Sequence, residues 1–189
     1  MRYSSEHKSA ARSRILDRGA RHAKKHGFRA SGMDALAGAA GVTTGAVYKY
    51  FDGKSDLFAA MIEAELGRTE RRFGNISPED PSAIGKAWAD YLSLQHVKRP
   101  EHGCVLPCLA SEVATSAPAA RAAFQEGLLR IHAIVERWTG SSEQAWTLIA
   151  QSAGAVMLAR AMRDEQVQQD LLTAIERGVE RLLNERGSP

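Results

Sequence analysis

The chain has 189 residues, which is enough for a small domain joined to a larger one. Its 44% hydrophobic and 25% charged residues are typical of a folded globular protein and exclude disorder over the whole chain. Residues 1–58 hold eleven Lys and Arg against five Asp and Glu, whereas residues 59–189 have a net charge of −3. The basic N-terminal part favours a polyanionic partner, although a solvated surface helix with surplus Lys and Arg is the alternative.

The sequence also argues against export and membrane insertion. The first twenty residues carry many charges and lack the apolar segment of a signal peptide. The longest uncharged stretch of the C-terminal half, residues 144–159, falls short of the ~20 apolar residues of a membrane span. The two cysteines, Cys104 and Cys108, do not form a disulfide framework. We therefore expect a cytoplasmic protein without a membrane partner.

The apolar pattern is helical nearly everywhere and predicts an all-α fold of about nine helices. We divide the chain into a three-helix N-terminal domain, residues 1–53, and a larger helical body, residues 54–189. The predicted helices cover residues 6–26, 33–40, 44–51, 54–73, 81–98, 107–114, 118–140, 142–163 and 167–185. Gly27, Gly41 and Gly140 mark helix ends, and Asp80-Pro81 and Ser141 with Gln144 mark helix starts.

The strongest functional signal is a helix-turn-helix between Met33 and Phe51. In the second predicted helix Leu36, Ala37 and Ala40 share one face, and Gly41 with Val42 forms the turn. Val47 and Phe51 share the buried face of the third helix. The remaining residues of that helix are exposed and able to approach a major groove: Thr44, Gly45, Ala46, Tyr48, Lys49 and Tyr50.

Lys54 begins the fourth predicted helix, where backbone N–H groups and a cation suit a phosphate. The alternative for this whole segment is a plain helical hairpin packed in a core. Two tyrosines and a lysine exposed on one short helix argue for DNA instead.

The same segment resembles the TetR/AcrR family of transcriptional regulators over about residues 10–60. The residues that carry the resemblance are Gly27-Phe28, Leu36-Ala37, Ala39-Ala40-Gly41-Val42, Gly45, Tyr48, Phe51, Lys54 and Leu57-Phe58. Gly103-Cys104, Leu106-Pro107 and residues 119–127 look like one branch of that family. The resemblance implies a homodimeric repressor that binds double-stranded operator DNA and is released by a small molecule sensed in the C-terminal domain.

Carried over by position, the resemblance places Thr43, Thr44, Gly45, Ala46, Tyr48, Lys49 and Tyr50 against DNA and Lys54 on a phosphate. The sequence departs from the family at Gly32, where Ser or Thr usually caps the second helix and touches phosphate. We expect Ser31, one residue earlier, to take that role.

The last two predicted helices carry apolar stripes that suit a four-helix dimer interface, which is also the family's arrangement. The predicted interface residues are Ala150, Ala153, Gly154, Met157, Ala161, Leu172, Ile175, Val179 and Leu182. The alternative is that both stripes pack inside one subunit.

A ligand pocket is expected among the fifth to eighth predicted helices. Its candidate residues are Trp88, Tyr91, Leu92, His96, Cys104, Phe124, Leu128 and Ile131, with His132 as a further polar candidate. For each of them ordinary core packing is the alternative. Because these helices hold no dense charge cluster, we expect an apolar or aromatic effector.

Cys104 lies just before a predicted helix start, where the helix dipole is expected to lower a thiol pKa. Together with Cys108 it suggests sensing of electrophiles or oxidants, and two small buried hydrophobic residues are the alternative. His102 with the two cysteines is too few ligands for a structural zinc site.

No nucleophile motif, metal set or phosphate-binding loop indicates an enzyme, and we expect no metal or cofactor. The alternatives to a repressor are a helical ligand carrier or enzyme with an incidental basic head, and a protein that coats DNA without sequence preference.

Overall fold

The computed structural model describes residues 2–184, with side chains over residues 7–183, and is built from α-helices throughout this range. The predicted end of the last helix at Glu185 lies outside the described residues. The helices are α1 (Arg2–His26), α2 (Met33–Ala40), α3 (Thr44–Val47), α4 (Lys54–Gly74), α5 (Pro81–Tyr91), α6 (Leu94–Lys98), α7 (Leu106–Ala114), α8 (Pro118–Thr139), α9 (Ser142–Ala161) and α10 (Glu165–Asn184). A 3-10 turn, Pro100–His102, lies between α6 and α7.

Several helix boundaries follow from the capping chemistry of the sequence. The Asp80 carboxylate accepts a hydrogen bond from the Ala83 N–H at 2.9 Å, and Ser141 Oγ accepts from the Gln144 N–H at 3.4 Å. Gly27 and Gly140 have φ angles of 81° and 76°, the left-handed conformation in which glycine carries no Cβ penalty. These predicted starts and ends are confirmed.

The predicted fifth helix is wrong because the chain forms two helices there. The α5 helix ends at Tyr91, and Ser93 begins α6 by accepting a hydrogen bond from the His96 N–H at 3.2 Å. Within residues 2–184 the fold therefore has ten α-helices instead of nine. The break places His96 on α6, where its Nε2 accepts a hydrogen bond from the Cys104 N–H in the loop that precedes α7.

The predicted third helix is shorter than expected. Its α-helical part ends at Val47, and turns carry the chain onward, with the Tyr50 and Phe51 N–H groups donating to the Val47 carbonyl at 2.9 and 3.1 Å. Phe51 still reaches the core, so the buried face is the predicted one.

One continuous hydrophobic core joins the N-terminal helices to the body. The α1 helix packs on both α2 and α4, and the most extensive helix contact in the described chain is that of α4 with α8. The two helices approach closely at Gly127. A Cβ at this position would lie 2.7 Å from the Leu66 side chain, so only glycine fits without a shift of the helices. The N-terminal helices are thus held by the same core as the body.

Candidate nucleic-acid interface

The helix-turn-helix has the core that its sequence predicts. Val47 and Ala40 are fully buried, and Leu36, Ala37 and Phe51 are nearly so. The turn begins at Gly41, whose φ of 70° is left-handed and whose N–H donates to the Gly38 carbonyl at 3.0 Å. Val42 packs half-buried against this core.

The opposite face of α3 is open to solvent. Tyr48 is 53% exposed, and Thr43, Gly45 and Lys49 are also exposed, whereas Ala46 and Tyr50 are half-buried. Thr43 Oγ1 accepts a hydrogen bond from the Ala46 N–H at 3.2 Å and so caps α3. Tyr48 and Lys49 are therefore the long polar side chains that this face offers to a groove.

Thr44 is held by the protein itself. Its Oγ1 donates to the Asp34 carboxylate, a contact that ties the start of α3 to α2. Among the predicted DNA-facing residues it has the clearest structural role, because it fixes the angle between the two helices.

Ser31 does not take the role expected of it. It is buried, and its Oγ donates to the Gly27 carbonyl at 2.6 Å, while Gly32 occupies the N-cap of α2 without a side-chain hydrogen bond. The prediction that Ser31 replaces the missing cap of α2 is wrong, because the turn after α1 uses its hydroxyl internally. A DNA contact of Ser31 stays a prediction.

Lys54 is half-buried at the start of α4. Its Nζ donates to the Arg29 carbonyl at 3.1 Å and lies 5.1 Å from the centre of the Phe28 ring. The cation predicted to hold a phosphate thus also holds the turn between α1 and α2.

Glu112 of α7, in the C-terminal body, is hydrogen-bonded to the same turn. The Glu112 carboxylate accepts hydrogen bonds from the Phe28 N–H at 3.0 Å and the Arg29 N–H at 2.6 Å. Arg29 Nη2 in turn donates to the Thr115 carbonyl at 2.8 Å. Sequence reasoning missed this link, because Glu112 lies more than 80 residues away along the chain and matches no motif.

A cleft of about 760 Å³ opens between α1, α4 and the segment from the end of α5 to Cys104. Three predicted ligand residues, Tyr91, His96 and Cys104, line it. Sequence reasoning missed its charged lining, which comprises Asp17, Arg21, Lys24, Glu65, Arg68, Arg72, Asp90, Arg99 and Glu101. The expected lack of charge is wrong for this cleft, because most of these residues come from α1 and α4 and were not counted.

Ion pairs hold α1 against α4 along the inner wall of the cleft. The buried Lys24 ammonium lies 2.7 Å from the Glu65 carboxylate and donates to the Gly103 carbonyl, also at 2.7 Å. Arg68 bridges the carboxylates of Glu65 and Asp17. Lys24 therefore joins α1 both to α4 and to the loop before α7.

His96 is held as a neutral ring beneath the cleft. Its Nε2 accepts a hydrogen bond from the Cys104 N–H at 3.0 Å, so Nδ1 carries the proton that is donated to the Tyr91 carbonyl at 2.6 Å. Burial lowers the pKa of His96 from 6.5 to about 4. His96 is thus a fixed structural link between α5 and the loop before α7.

The two cysteines are free and half-buried. Burial raises the pKa of Cys104 more than the hydrogen bond from the Leu106 N–H lowers it. Burial likewise raises the pKa of Cys108, although Arg160 Nη1 donates to its Sγ at 2.9 Å. The lowered pKa expected for Cys104 is wrong, because desolvation outweighs the helix start.

The other predicted ligand residues lie in or against the core. Trp88, Leu92 and Ile131 are buried, and Phe124 and Leu128 are half-buried and pack on the core. His132, also buried, stacks on Trp146 with ring centres 4.3 Å apart.

The predicted dimer residues divide between the surface and the core. On α9, Ala150, Met157 and Ala161 are exposed, and Ala153 and Gly154 are half-buried. On α10, Leu172 and Val179 are buried within the subunit, and Ile175 and Leu182 are half-buried. Leu172 and Val179 are therefore core residues, because α10 packs on α9 and α5. Leu158, 51% exposed beside Met157, was missed.

Over the described residues, no three His, Cys, Asp or Glu side chains are grouped so as to hold a metal ion. Within the same range, none of the helices combines the length and apolar character that crossing a bilayer requires.

Part of the chain is similar in sequence to known regulatory proteins. Residues 15–61 match the family described as bacterial regulatory proteins, tetR family. A transcriptional regulator of Shigella flexneri, AcrR, is 36% identical over 76 residues, which is 39% of this chain and 35% of that protein. The chain thus matches about a third of the length of this curated relative.

Three solved structures show the same fold over most of the chain. The reduced form of NemR from E. coli superposes with a TM-score of 0.75 at 22% identity, covering 91% of this chain and 96% of that one. A transcriptional regulator from Rhodococcus sp. Rha1 gives 0.74 at 20% identity, covering 94% and 99%. FadR from Bacillus subtilis, solved with stearoyl-CoA, gives 0.65 at 17% identity, covering 90% and 96%.

Proposed function

Because this chain belongs to the TetR/AcrR family of bacterial regulatory proteins, we propose that it is a transcriptional repressor that binds a palindromic operator as a homodimer and leaves it when a small molecule binds. The observation that carries the proposal is the exposed surface formed by α3 and the turn that follows it. Tyr48 and Lys49 extend from that turn, directly after Val47 of α3, which is fully buried. A short helix with one anchored face and one polar, exposed face suits the major groove.

In this proposal Thr43, Gly45, Ala46, Tyr48, Lys49 and Tyr50 face the bases and nearby phosphates, and Lys54 contacts a phosphate. Thr44 supports them through its bond to Asp34. Two copies of α3 must reach half-sites about 34 Å apart, one turn of DNA, and this favours a dimer.

The exposed apolar face of α9 supports the proposed dimer. Met157 is 53% exposed and Leu158 51%, and large apolar side chains grouped on one helix are typical of a surface that a partner covers. Ala150, Ala153, Gly154 and Ala161 extend this face with small residues that allow a second helix to approach closely. Ile175 and Leu182 of α10 lie half-buried and contribute its edge.

Gel shift against the DNA upstream of the protein's own gene tests the proposal, with a shuffled sequence of equal length as the control. We expect a discrete complex on the upstream DNA that resists competition by the shuffled sequence, and a dimer on size-exclusion chromatography. Equal affinity for both DNAs, with the same steep salt dependence, would instead identify a non-specific coating protein.

The effector is proposed to bind in the cleft, where Tyr91, His96 and Cys104 contact it. Phe73 also lines the cleft. An apolar or aromatic molecule of the kind expected from the sequence has aromatic partners there in Phe73 and Tyr91. The volume of about 760 Å³ lies in the range of small-molecule sites.

Thiol-based sensing is a second candidate function, favoured by two observations. Cys104 lines the open cleft, and Arg160 Nη1 lies 2.9 Å from Cys108 Sγ, where the guanidinium partly offsets the burial that raises the pKa of this thiol. Iodoacetamide, which forms a thioether and releases iodide, should then weaken operator binding by the native protein and leave the Cys104→Ser, Cys108→Ser double variant unaffected. Unchanged operator affinity of the alkylated native protein removes this candidate.

A further inference from the structure

The cleft carries more permanent positive than negative charge. Its cationic lining residues are Arg21, Lys24, Arg68, Arg72 and Arg99, and its carboxylates are Asp17, Glu65, Asp90 and Glu101. The cations come from three separate parts of the chain: α1, α4 and the loop after α6. A cleft with a surplus of positive charge attracts anionic ligands.

The carboxylates on the inner wall are already shared between cations. Asp17 contacts both Arg21 and Arg68, and Glu65 contacts both Lys24 and Arg68. Two carboxylates thus face three cations along the inner wall, with Arg68 shared between them.

The two arginines at the mouth are poorly neutralised. Among the side chains that the structure describes, Arg72 forms an ion pair with Asp90 alone, at 3.6 Å, and both side chains are more than half exposed. Among the described residues Arg99 forms no ion pair within 4 Å. A guanidinium presents parallel N–H donors that match the two oxygens of a carboxylate or phosphate.

From this arrangement we propose that the cleft is a binding site for a small organic oxyanion, a carboxylate or a phosphate ester, held by Arg72 and Arg99. The aromatic or apolar part of the molecule lies on Phe73 and Tyr91, which line the same cleft. This inference deepens the proposed function and rests on it in one respect, namely that the oxyanion is the effector that releases DNA.

The position of the cleft gives the oxyanion a route to the DNA-binding helices. Arg72 belongs to α4 and Arg99 to the loop that Lys24 of α1 holds through the Gly103 carbonyl. That loop leads directly into α7, whose Glu112 grips the turn before α2. A ligand that draws Arg99 towards Arg72 would therefore pull on two of the contacts between the body and the N-terminal helices, those made by Lys24 and by Glu112.

Calorimetric titration of the full chain without DNA tests the site directly. The probes are benzoate and phenyl phosphate, with benzyl alcohol as a neutral molecule of similar size. We expect both anions to bind at least tenfold more tightly than benzyl alcohol, and sodium chloride to weaken them. Arg72→Gln and Arg99→Gln should each reduce anion affinity at least tenfold.

Arg121→Gln, an exposed arginine of α8 outside the cleft, is the matched control and should bind the anions normally. All three replaced side chains are exposed, so circular dichroism should show native helicity in each variant. If neither anion binds, if benzyl alcohol binds equally well, or if Arg72→Gln and Arg99→Gln bind as the native protein does, the oxyanion site is wrong.

Gel shift in the presence of each anion tests the regulatory part. Release of operator DNA from the native protein but not from Arg99→Gln, at equal anion concentration, supports the site as the effector site. Anion binding with undiminished operator affinity overturns the effector role. Absence of any operator complex before anion is added overturns the proposed function, while the calorimetric result still decides whether the site exists.

Discussion

Tyr48 combines an exposed aromatic ring and hydroxyl with a position directly after the buried Val47. Replacing Tyr48 with Ala should lower operator affinity about tenfold or more, because a side chain in the groove contributes about 1–3 kcal/mol to recognition. The melting temperature should hardly change, since the side chain is mostly exposed. Gel shift and thermal unfolding measure the two effects.

The matched control for Tyr48 is Leu129→Ala, a large apolar residue of α8 that is 48% exposed. It should leave operator affinity unchanged. If Tyr48→Ala binds the operator like the native protein, α3 is not the helix that contacts the bases.

Lys54 has two roles, a phosphate contact and a support for the turn after α1, and two measurements on one variant distinguish them. As a phosphate contact, Lys54→Ala should weaken binding to all DNA sequences and flatten the slope of log affinity against log salt by about one. As a support for the Arg29 carbonyl, it should also lower the melting temperature slightly. Binding isotherms at several salt concentrations give the slope.

Lys86→Ala, an exposed lysine of α5, serves as the control for charge and should alter neither quantity. A native salt slope in Lys54→Ala, together with a lower melting temperature, would assign Lys54 to the turn alone.

At the scale of elements, the close crossing of α4 and α8 depends on glycine at position 127, which has no side chain. Gly127→Ala should destabilise the protein by about 1–3 kcal/mol, because its Cβ would lie 2.7 Å from Leu66 and α8 must move away from α4. Urea unfolding at fixed protein concentration measures the change in the free energy of unfolding.

Gly85 of α5 provides the opposite case, since a Cβ there meets nothing within 4 Å. Gly85→Ala should be neutral or stabilising by up to about 1 kcal/mol, because alanine restricts the unfolded chain more than glycine does. A Gly127→Ala variant as stable as Gly85→Ala would show that the crossing is not closely packed.

For the whole molecule, His96 makes stability depend on pH. Its pKa is lowered by burial to about 4 in the fold, below the 6.5 of an unfolded histidine, so the unfolded chain binds the extra proton. This contribution to stability is complete above pH 6.5 and is lost as the pH falls towards 4. From pH 7 to pH 5 we expect a loss of about 2 kcal/mol from His96.

The measurement is urea unfolding of the native protein and His96→Gln at pH 7, 6 and 5. The variant should be less stable at pH 7 and lose less stability on acidification, while His102→Gln, an exposed histidine, should follow the native curve. Parallel curves for the native protein and His96→Gln would contradict the assignment.

Much of the local structure could be predicted because its causes are local. The buried face of the helix-turn-helix follows from residues three to five positions apart, and the ends at Gly27 and Gly140 follow from single glycines in the left-handed conformation. The division of the predicted fifth helix was missed, because Ser93 in the middle of an apolar pattern gives no sign by itself that it caps a new helix.

The sequence by itself determined an all-helical chain, the position of the turn at Gly41 and the exposed face that begins at Thr43, because helical periodicity and capping act over a few residues. Only the tertiary structure decided that Ser31 points inward, that Glu112 grips the turn after α1 and that arginines from α1, α4 and the loop after α6 line one cleft. Those outcomes depend on which distant segments pack together. A charged side chain and a partner 40 to 80 residues away produce no repeating pattern in the sequence from which their contact could be predicted.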